Sequence, residues 1–262
     1  MFVGLTVLES TYIHCPGVGE KTERRIWEAG ARTWSDFVAM GARMRISGLQ
    51  RAVLEPLICE SIERLAGQDY RWFSRVLPQR EHWRAFPAFR HRIAYLDIET
   101  TGGYGPHDLT VVGLYDGYRM RHFVRGDNLA EFPEAIKRAA IIVTFFGTGF
   151  DLPFLRRAFR MDFPQLHIDL CFLFKRLGYS GGLKYVERQL GLTRSEETRG
   201  LAGWDAVRLW AAYRHGSEKA LETLLAYNAE DVLNMETLME MAYAWMFQRT
   251  MGGETGNAAP IG

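Results

Sequence analysis

Residues 91–103, HRIAYLDIETTGG, decide how the rest of the chain is read. A short apolar run ends by presenting two acids and then turns at a glycine pair. In an extended strand, residues i and i+2 point to one face, so Asp97 and Glu99 stand side by side while Leu96 and Ile98 enter the core. Two carboxylates held so close repel each other unless a cation lies between them. Alone, a D-x-E pair also fits a solvated strand end. Two further acidic positions downstream, each with its own spacing, weigh towards chemistry.

Outward from that strand, residues 109–115 and 118–124 read as two more strands joined by a turn at Asp116-Gly117. Residues 128–139 read as a helix with Asn128 as its N-cap and Pro133 near its first turn. Residues 141–146 form an unbroken apolar run, the pattern of a buried strand. The order predicts a mixed sheet with helices packed over it. The interior strand leads into FFGTGFDLPFLRRAF, where Gly147 and Gly149 make a loop and Asp151 opens a helix. Asp151 fits an ordinary N-cap; equally, a carboxylate leaving the end of an interior strand can face Asp97 and Glu99, and three such acids make a hard-oxygen site. In LLAYNAEDVLNMETLMEM, Tyr227 and Asp231 are four apart on one helix face and could together hold one water. Asp169 reads as a cap or a support behind the site, Glu187 and Asp205 as helix-surface residues, and Lys184 and Arg188 as sharing a helical face that either is solvated or touches backbone. Met235, Leu238, Met239 and Met241 read as packing surface.

The chain has 262 residues, 47% of them apolar and 24% charged, which is material for one large core and a small accessory domain. Residues 1–92 carry 14 Lys and Arg against 10 Asp and Glu; the remainder carries 18 against 21. A basic arm on an acidic body suits a phosphate-binding module beside a metal-binding one. Within the arm, Pro16-Gly17-Val18-Gly19 is a tight turn before a helix over residues 20–29, and Thr33 with Asp36 forms a capping-box pattern. A hairpin whose amides open a helix can bind phosphate through Gly17 and Gly19, with Lys21, Arg24 and Arg25 alongside. The other reading is a turn between core helices. Residues 44–68 read as a further helical pair and residues 71–91 as a linker, where Pro78 and Pro87 forbid a long helix. The linker's interleaved Arg, Trp and Phe could stack bases or simply pack it onto its neighbour. Residues 251–262 have the composition of a disordered tail. Cys15, Cys59 and Cys171 show no ligand or disulfide spacing, the seven histidines are scattered, and no run approaches a membrane span. A cytoplasmic protein is expected.

In order along the chain, D-x-E-T-T-G, F-D-x-P-F-L and Y-x-x-x-D resemble the motifs of the DEDD (DnaQ-like) superfamily of 3′→5′ exonucleases, over about residues 92–246. The residue five before the last acid is Ala226 rather than His, and Tyr227 is four before it, as in the tyrosine subclass, DEDDy. HIDLCFLFKRLGYSGGLKYVERQLGL, GWDAVRLWAAYRHG and LLAYNAEDVLNMETL are similar to the bacterial YprB-type domain, whose relatives also carry a segment like residues 12–37, itself similar to a helix-hairpin-helix module. One departure is Phe146, where many relatives have Asn.

The resemblance implies an α/β fold, a ribonuclease-H-like mixed five-stranded sheet flanked by helices, over residues 92–250, with a small all-α nucleic-acid-binding domain over residues 1–70. It implies that Asp97, Glu99, Asp151 and Asp231 hold two divalent cations, Mg²⁺ or Mn²⁺, and that Tyr227 orients the attacking water. Thr100, Thr101, Gly102 and Phe150 would contact the terminal nucleotide. The expected partner is nucleic acid, with DNA and a role in repair favoured. RNA hydrolysis by the same chemistry and a noncatalytic binding module are the alternatives. A monomer is expected, with a helicase as a conceivable partner.

Overall fold

The computed structural model describes residues 6–41, 51–198, 200–201 and 203–252. At its centre, β1 (Ile93–Thr100), β2 (Leu109–Tyr115), β3 (Met120–Val124), β4 (Ile141–Thr144) and β5 (Leu166–Asp169) form a five-stranded mixed sheet in the order β3-β2-β1-β4-β5. β1, β2 and β3 run antiparallel to one another, while β4 is parallel to both β1 and β5. The alternation along β1 sorts its side chains as the sequence predicts. Ala94, Leu96 and Ile98 enter one core, whereas Ile93 and Tyr95 enter the other, on the face that also carries Asp97 and Glu99. The β2–β3 hairpin closes at Asp116, whose Oδ1 accepts the N–H groups of Tyr118 (3.0 Å) and Arg119 (2.8 Å), and at Gly117, with φ of 89°.

The N-terminal region is helical. Gly17, at φ 75°, turns the chain, and Gly19 caps α1 (Glu20–Glu28). Thr33 and Asp36 form the expected capping box on α2 (Trp34–Met40), each side chain accepting the other's N–H. Of the expected helical pair over residues 44–68, positions 44–50 lie outside the described residues, and the rest is the single helix α3 (Arg51–Ala66).

The stretch read as a linker is folded into α4 (Tyr70–Val76), a 3₁₀ segment (Gln79–Ala85) and α5 (Phe86–Phe89). Its aromatic residues Trp72, Phe73, Trp83, Phe86 and Phe89 are buried, so they pack rather than offer stacking faces to bases. They join Tyr12, Trp34 and Phe37 of the N-terminal region to Ile93, Tyr95 and Ile141 of the sheet in one apolar cluster. Arg84 lies at the seam, its side chain 2% exposed. Its NH1 is 3.0 Å from Glu23 Oε2 of α1, and its Nε is 2.7 Å from Glu81 Oε2. The tail expected to be disordered lies, from residue 253, outside the described residues.

The two faces of the sheet are covered differently. On one lie α6 (Phe132–Ile136) and α7 (Asp151–Phe159), burying Phe132, Ile136, Leu152, Phe154 and Leu155 against Leu96, Ile98 and Ile142. The helix expected over residues 128–139 is a 3₁₀ turn (Leu129–Glu131) followed by α6, and Asn128 holds the N-cap position of that turn without a capping bond from its side chain. Its Oδ1 accepts Val124 N–H (2.8 Å) and its Nδ2 donates to His122 O (3.0 Å), tying off β3 instead of capping. α8 (Leu170–Arg176), α9 (Leu183–Gln189), α10 (Gly203–Arg214) and α11 (Glu218–Met251) complete the fold. α11 has 34 residues, and Leu224, Tyr227, Asp231, Val232, Met235, Leu238, Met239, Ala242 and Met246 form its buried stripe. Met241 is only partly buried. Among the described residues, no helix is long and apolar enough to cross a membrane.

Candidate active site

The site lies where the α11 stripe turns polar over the end of β1. Asp97, Glu99 and Asp231 each offer a carboxylate oxygen within 4.8 Å of the others, a group that could hold a metal ion. Asn228, one turn before Asp231 on the buried face of α11, donates from Nδ2 to Asp97 Oδ2 at 2.9 Å. That reach depends on Gly113, the partner of Asp97 across β1 and β2. A methyl group at Gly113 would lie 2.0 Å from Asn228 Oδ1, so this glycine is needed for close approach rather than for backbone freedom.

Asp151 arrives from the other direction. Phe150 occupies the N-cap of α7 without a side-chain capping bond, and Asp151 Oδ1 accepts the N–H of Ile98 (3.2 Å), the residue between Asp97 and Glu99. Asp151 is therefore not spent as a cap. It stands at the margin of the three-acid group, close enough for its charge to be felt by both Asp97 and Glu99.

Burial and mutual repulsion shape the charge state. Desolvation, followed by Asp151, Glu99 and Asp231, holds the Asp97 carboxyl well above the usual carboxylate range. Glu99 is pushed up to about 8 by burial and by Asp231, and Asp151 to about 7 chiefly by burial. Burial also raises Asp231, but Arg194 and Lys184 act against that rise. The donor set is oxygen only, without histidine or cysteine, and fits a hard cation such as Mg²⁺ or Mn²⁺.

A pH dependence follows. With raised folded-state values, the metal-free protein binds more protons than the unfolded chain from the ordinary carboxylate range up to about 8. Ionising these buried, mutually repelling acids costs stability, so their effect is absent at low pH and grows as pH rises from the ordinary carboxylate range to about 8. Thermal melts in chelator are expected to show Tm falling between about pH 5 and pH 8, and Mn²⁺ is expected to raise Tm more at the alkaline end, where the carboxylates it needs are already ionised. A Tm that is flat over this range, or a Mn²⁺ effect larger at acid pH, would contradict the arrangement.

Tyr227 lies one turn before Asp231 on α11 and is buried. Burial and the neighbouring carboxylates, Asp231 first, raise its phenol well above the ordinary range, so it stays protonated and keeps an O–H to donate. Lys184 donates to its oxygen at 2.7 Å, with Nζ 4.1 Å from the ring centre. Lys184 also donates to Leu201 O. The reading of Lys184 as a solvated surface residue is thus corrected: it belongs to the site. Glu187 is corrected likewise. It is 1% exposed and receives Arg194 Nε at 2.7 Å and NH2 at 2.8 Å, while Arg194 NH1 pairs with Asp231. Periodicity on α9 could show that residues 184 and 187 share a face, but their partners are joined only by the fold. Arg188 is exposed, its guanidinium 5.8 Å from the Tyr185 ring centre.

The expected nucleotide contacts adjoin Glu99 and Asp151 along the chain. Thr100 Oγ1 accepts Gly102 N–H (3.2 Å), and Thr101 Oγ1 donates to Asp108, so both hydroxyls shape the turn after β1. Gly102 has φ of 89°, is exposed, and neighbours the exposed Trp204. Phe150 is half-buried, its ring 5.9 Å from that of Phe154. Phe146 adopts φ of 67°, a conformation unusual for a bulky residue. Asp169 holds it there by accepting Phe146 N–H (2.8 Å) and Thr148 N–H (2.9 Å), while also capping α8 through Cys171 N–H (3.1 Å). The hairpin residues Gly17 and Gly19, before α1, and Lys21, Arg24 and Arg25, on it, are exposed.

A family model described as RNase_H superfamily matches residues 94–243, more than half of the chain, including the acid group and all of the sheet but Ile93. The chain belongs to the RNase_H superfamily. Within this superfamily fold, the acids occupy the end of the central strand and the last helix. Among solved structures, the chain is similar to the family B DNA polymerase from the hyperthermophilic archaeon Pyrobaculum calidifontis, with 15% identity and a TM-score of 0.45. That match covers 59% of this chain and 24% of the polymerase, so the chain spans about a quarter of that protein's length. It is also similar to Brucella melitensis NrnC, at 20% identity and a TM-score of 0.39, covering 67% of this chain and 94% of NrnC. A second NrnC structure, bound to pGG, matches at 20% identity and a TM-score of 0.35, covering 66% and 92%. No match is found among curated protein sequences.

Proposed function

We propose that this protein is a divalent-metal-dependent 3′→5′ exonuclease of the tyrosine subclass, hydrolysing phosphodiester bonds at nucleic-acid ends, with DNA as the favoured polymer and repair as the setting. The observation that carries this reading is the convergence of Asp97, Glu99 and Asp231 beside Tyr227, from chain positions more than 120 residues apart. Asp97, Glu99, Asp151 and Asp231 would hold two cations, Mg²⁺ or Mn²⁺, which supply Lewis acidity to an in-line displacement at phosphorus. Tyr227, kept protonated and accepting from Lys184, has its own O–H left to orient a water or a phosphate oxygen. Asn228 fixes Asp97, and the Ile98 amide fixes Asp151, so the acids need little rearrangement to act. Thr100, Thr101, Gly102 and Phe150 would border the terminal nucleotide, with Gly102 permitting backbone to approach it.

The test is incubation of 5′-end-labelled single- and double-stranded DNA and RNA with Mg²⁺ or Mn²⁺. Stepwise shortening from the 3′ end, abolished by chelator, is expected. Loss of the label as a mononucleotide, or no hydrolysis of any of the four polymers, would contradict the proposal.

The exposed hairpin of Gly17 and Gly19, with Lys21, Arg24 and Arg25, is proposed as the backbone-gripping arm. Because the N-terminal region shares its core with the sheet, removing it would expose that core, and point changes are the better probe. Lys21→Glu with Arg24→Glu is expected to weaken oligonucleotide binding and to flatten its salt dependence, at an unchanged rate on saturating substrate. Unchanged affinity and salt slope would remove the arm from the proposal.

A further inference from the structure

Arg194 contacts the acid group in a way that neither the motifs nor helical periodicity announce. It follows α9, in the stretch leading to α10. Its guanidinium is tied at two nitrogens to Glu187, Nε to Oε2 at 2.7 Å and NH2 to Oε1 at 2.8 Å. Glu187 Oε1 in turn accepts from Asn234 Nδ2 of α11 at 3.0 Å. The third nitrogen, NH1, meets Asp231 Oδ1 and lies 4.0 Å from Glu230 Oε2. Both side chains of the anchoring pair are nearly sealed from solvent, at 9% and 1%.

Two roles fit an arginine on a metal-site acid. It could be a stand-in cation that must leave before a metal enters, or a holder that stays. A stand-in would have the acid as its principal partner. Arg194 is instead fixed by a bidentate pair with Glu187, independently of Asp231, and that pair is close to neutral, so it opposes an incoming cation little. Arg194 NH1 is ion-paired with one oxygen of Asp231, Oδ1, and that carboxylate also belongs to the group with Asp97 and Glu99. α9 therefore acts twice on the same face of α11: through Lys184 on Tyr227, and through Glu187 and Arg194 on Asp231.

We infer that Arg194, oriented by Glu187, is a positioning residue that fixes the Asp231 carboxylate for divalent-cation binding. The inference rests on reading the acid group as a cation site. It is tested on the full chain by calorimetric titration with MnCl₂, without substrate. Arg194→Ala is expected to weaken Mn²⁺ binding by about 10- to 100-fold, the usual cost of losing a partner behind a metal ligand. Arg194→Lys is expected not to restore it, because one ammonium cannot keep the fork on Glu187 and still reach Asp231. Arg194→Ala leaves Glu187 buried without its partner. The paired variant Arg194→Met with Glu187→Gln therefore removes both charges, and circular dichroism checks its fold; it is expected to show the same loss. Mn²⁺ affinity in the folded paired variant within about twofold of the parent would overturn the inference, as would tighter binding, which would mark Arg194 as a competitor of the cation. Asp97→Ala carried alongside separates the failures. If Asp97→Ala keeps the parent affinity, the cation reading falls and this inference with it; if Asp97→Ala loses binding while the Arg194 variants keep it, only the role of Arg194 falls.

Discussion

Replacing Asp97 by alanine is expected to lower metal-dependent hydrolysis at saturating substrate by on the order of 10³-fold or more, while leaving the protein folded. Asp97 is central to the acid group. It lies beside Glu99 on β1, receives Asn228 from α11, and feels the charges of Asp151, Glu99 and Asp231 together. Removing it takes away a proposed metal ligand and the acceptor that fixes Asn228 against the sheet. The stability effect should have the opposite sign in the metal-free state, since one of four mutually repelling, desolvated carboxyls is gone. Single-turnover rates together with melts in chelator check both halves: a collapsed rate with an unchanged or higher metal-free Tm. Hydrolysis surviving Asp97→Ala at near the parent rate would place the chemistry elsewhere.

Arg84→Ala is expected to destabilise the whole protein by about 3–5 kcal/mol, the usual cost of breaking a buried ion pair from one side. Arg84 donates to Thr11 Oγ1 at 3.0 Å and faces Glu23 and Glu81, both buried. Glu23 keeps Thr11 Oγ1 (2.8 Å) and Tyr12 N–H (2.7 Å) after the change, and Glu81 keeps Arg176 at 3.1 Å. None of these replaces the charge between the two acids. The chain Glu23, Arg84, Glu81, Arg176 runs from α1 through the 3₁₀ segment to α8, so its loss should loosen the N-terminal region from the sheet. Arg84→Lys should recover only part of the loss, because one ammonium cannot reproduce the separate Nε and NH1 contacts. Chemical denaturation measures this. A cost below about 1 kcal/mol would mean that the apolar seam alone holds the two regions together.

Much of the sheet is readable in the amino-acid order, because its strands are short apolar runs cut by strong turn signals. Asp116-Gly117 marks the hairpin, and the alternation at residues 93–99 already puts Asp97 and Glu99 on one face. Tyr227 and Asp231 are legible for the same reason, since helical spacing is a local property. What local patterns cannot carry is pairing across the fold. Trp72, Trp83 and Arg84 lie in a stretch without periodicity, and only a partner surface such as Glu23 and Trp34 turns them inward. Asn128 has the chemistry of a cap, yet the end of β3 offers it two backbone partners. Lys184, Glu187 and Arg194 look like solvated charges until α11 brings Tyr227 and Asp231 against them.

The most direct test of the acid group is a crystal of the protein grown with Mn²⁺ and measured for anomalous scattering. The expected result is Mn²⁺ within about 2.5 Å of carboxylate oxygens from Asp97, Glu99 and Asp231, with Asp151 completing the shell. Mn²⁺ found only at other surface acids, with these four carboxylates free of it at saturating concentration, would contradict the site.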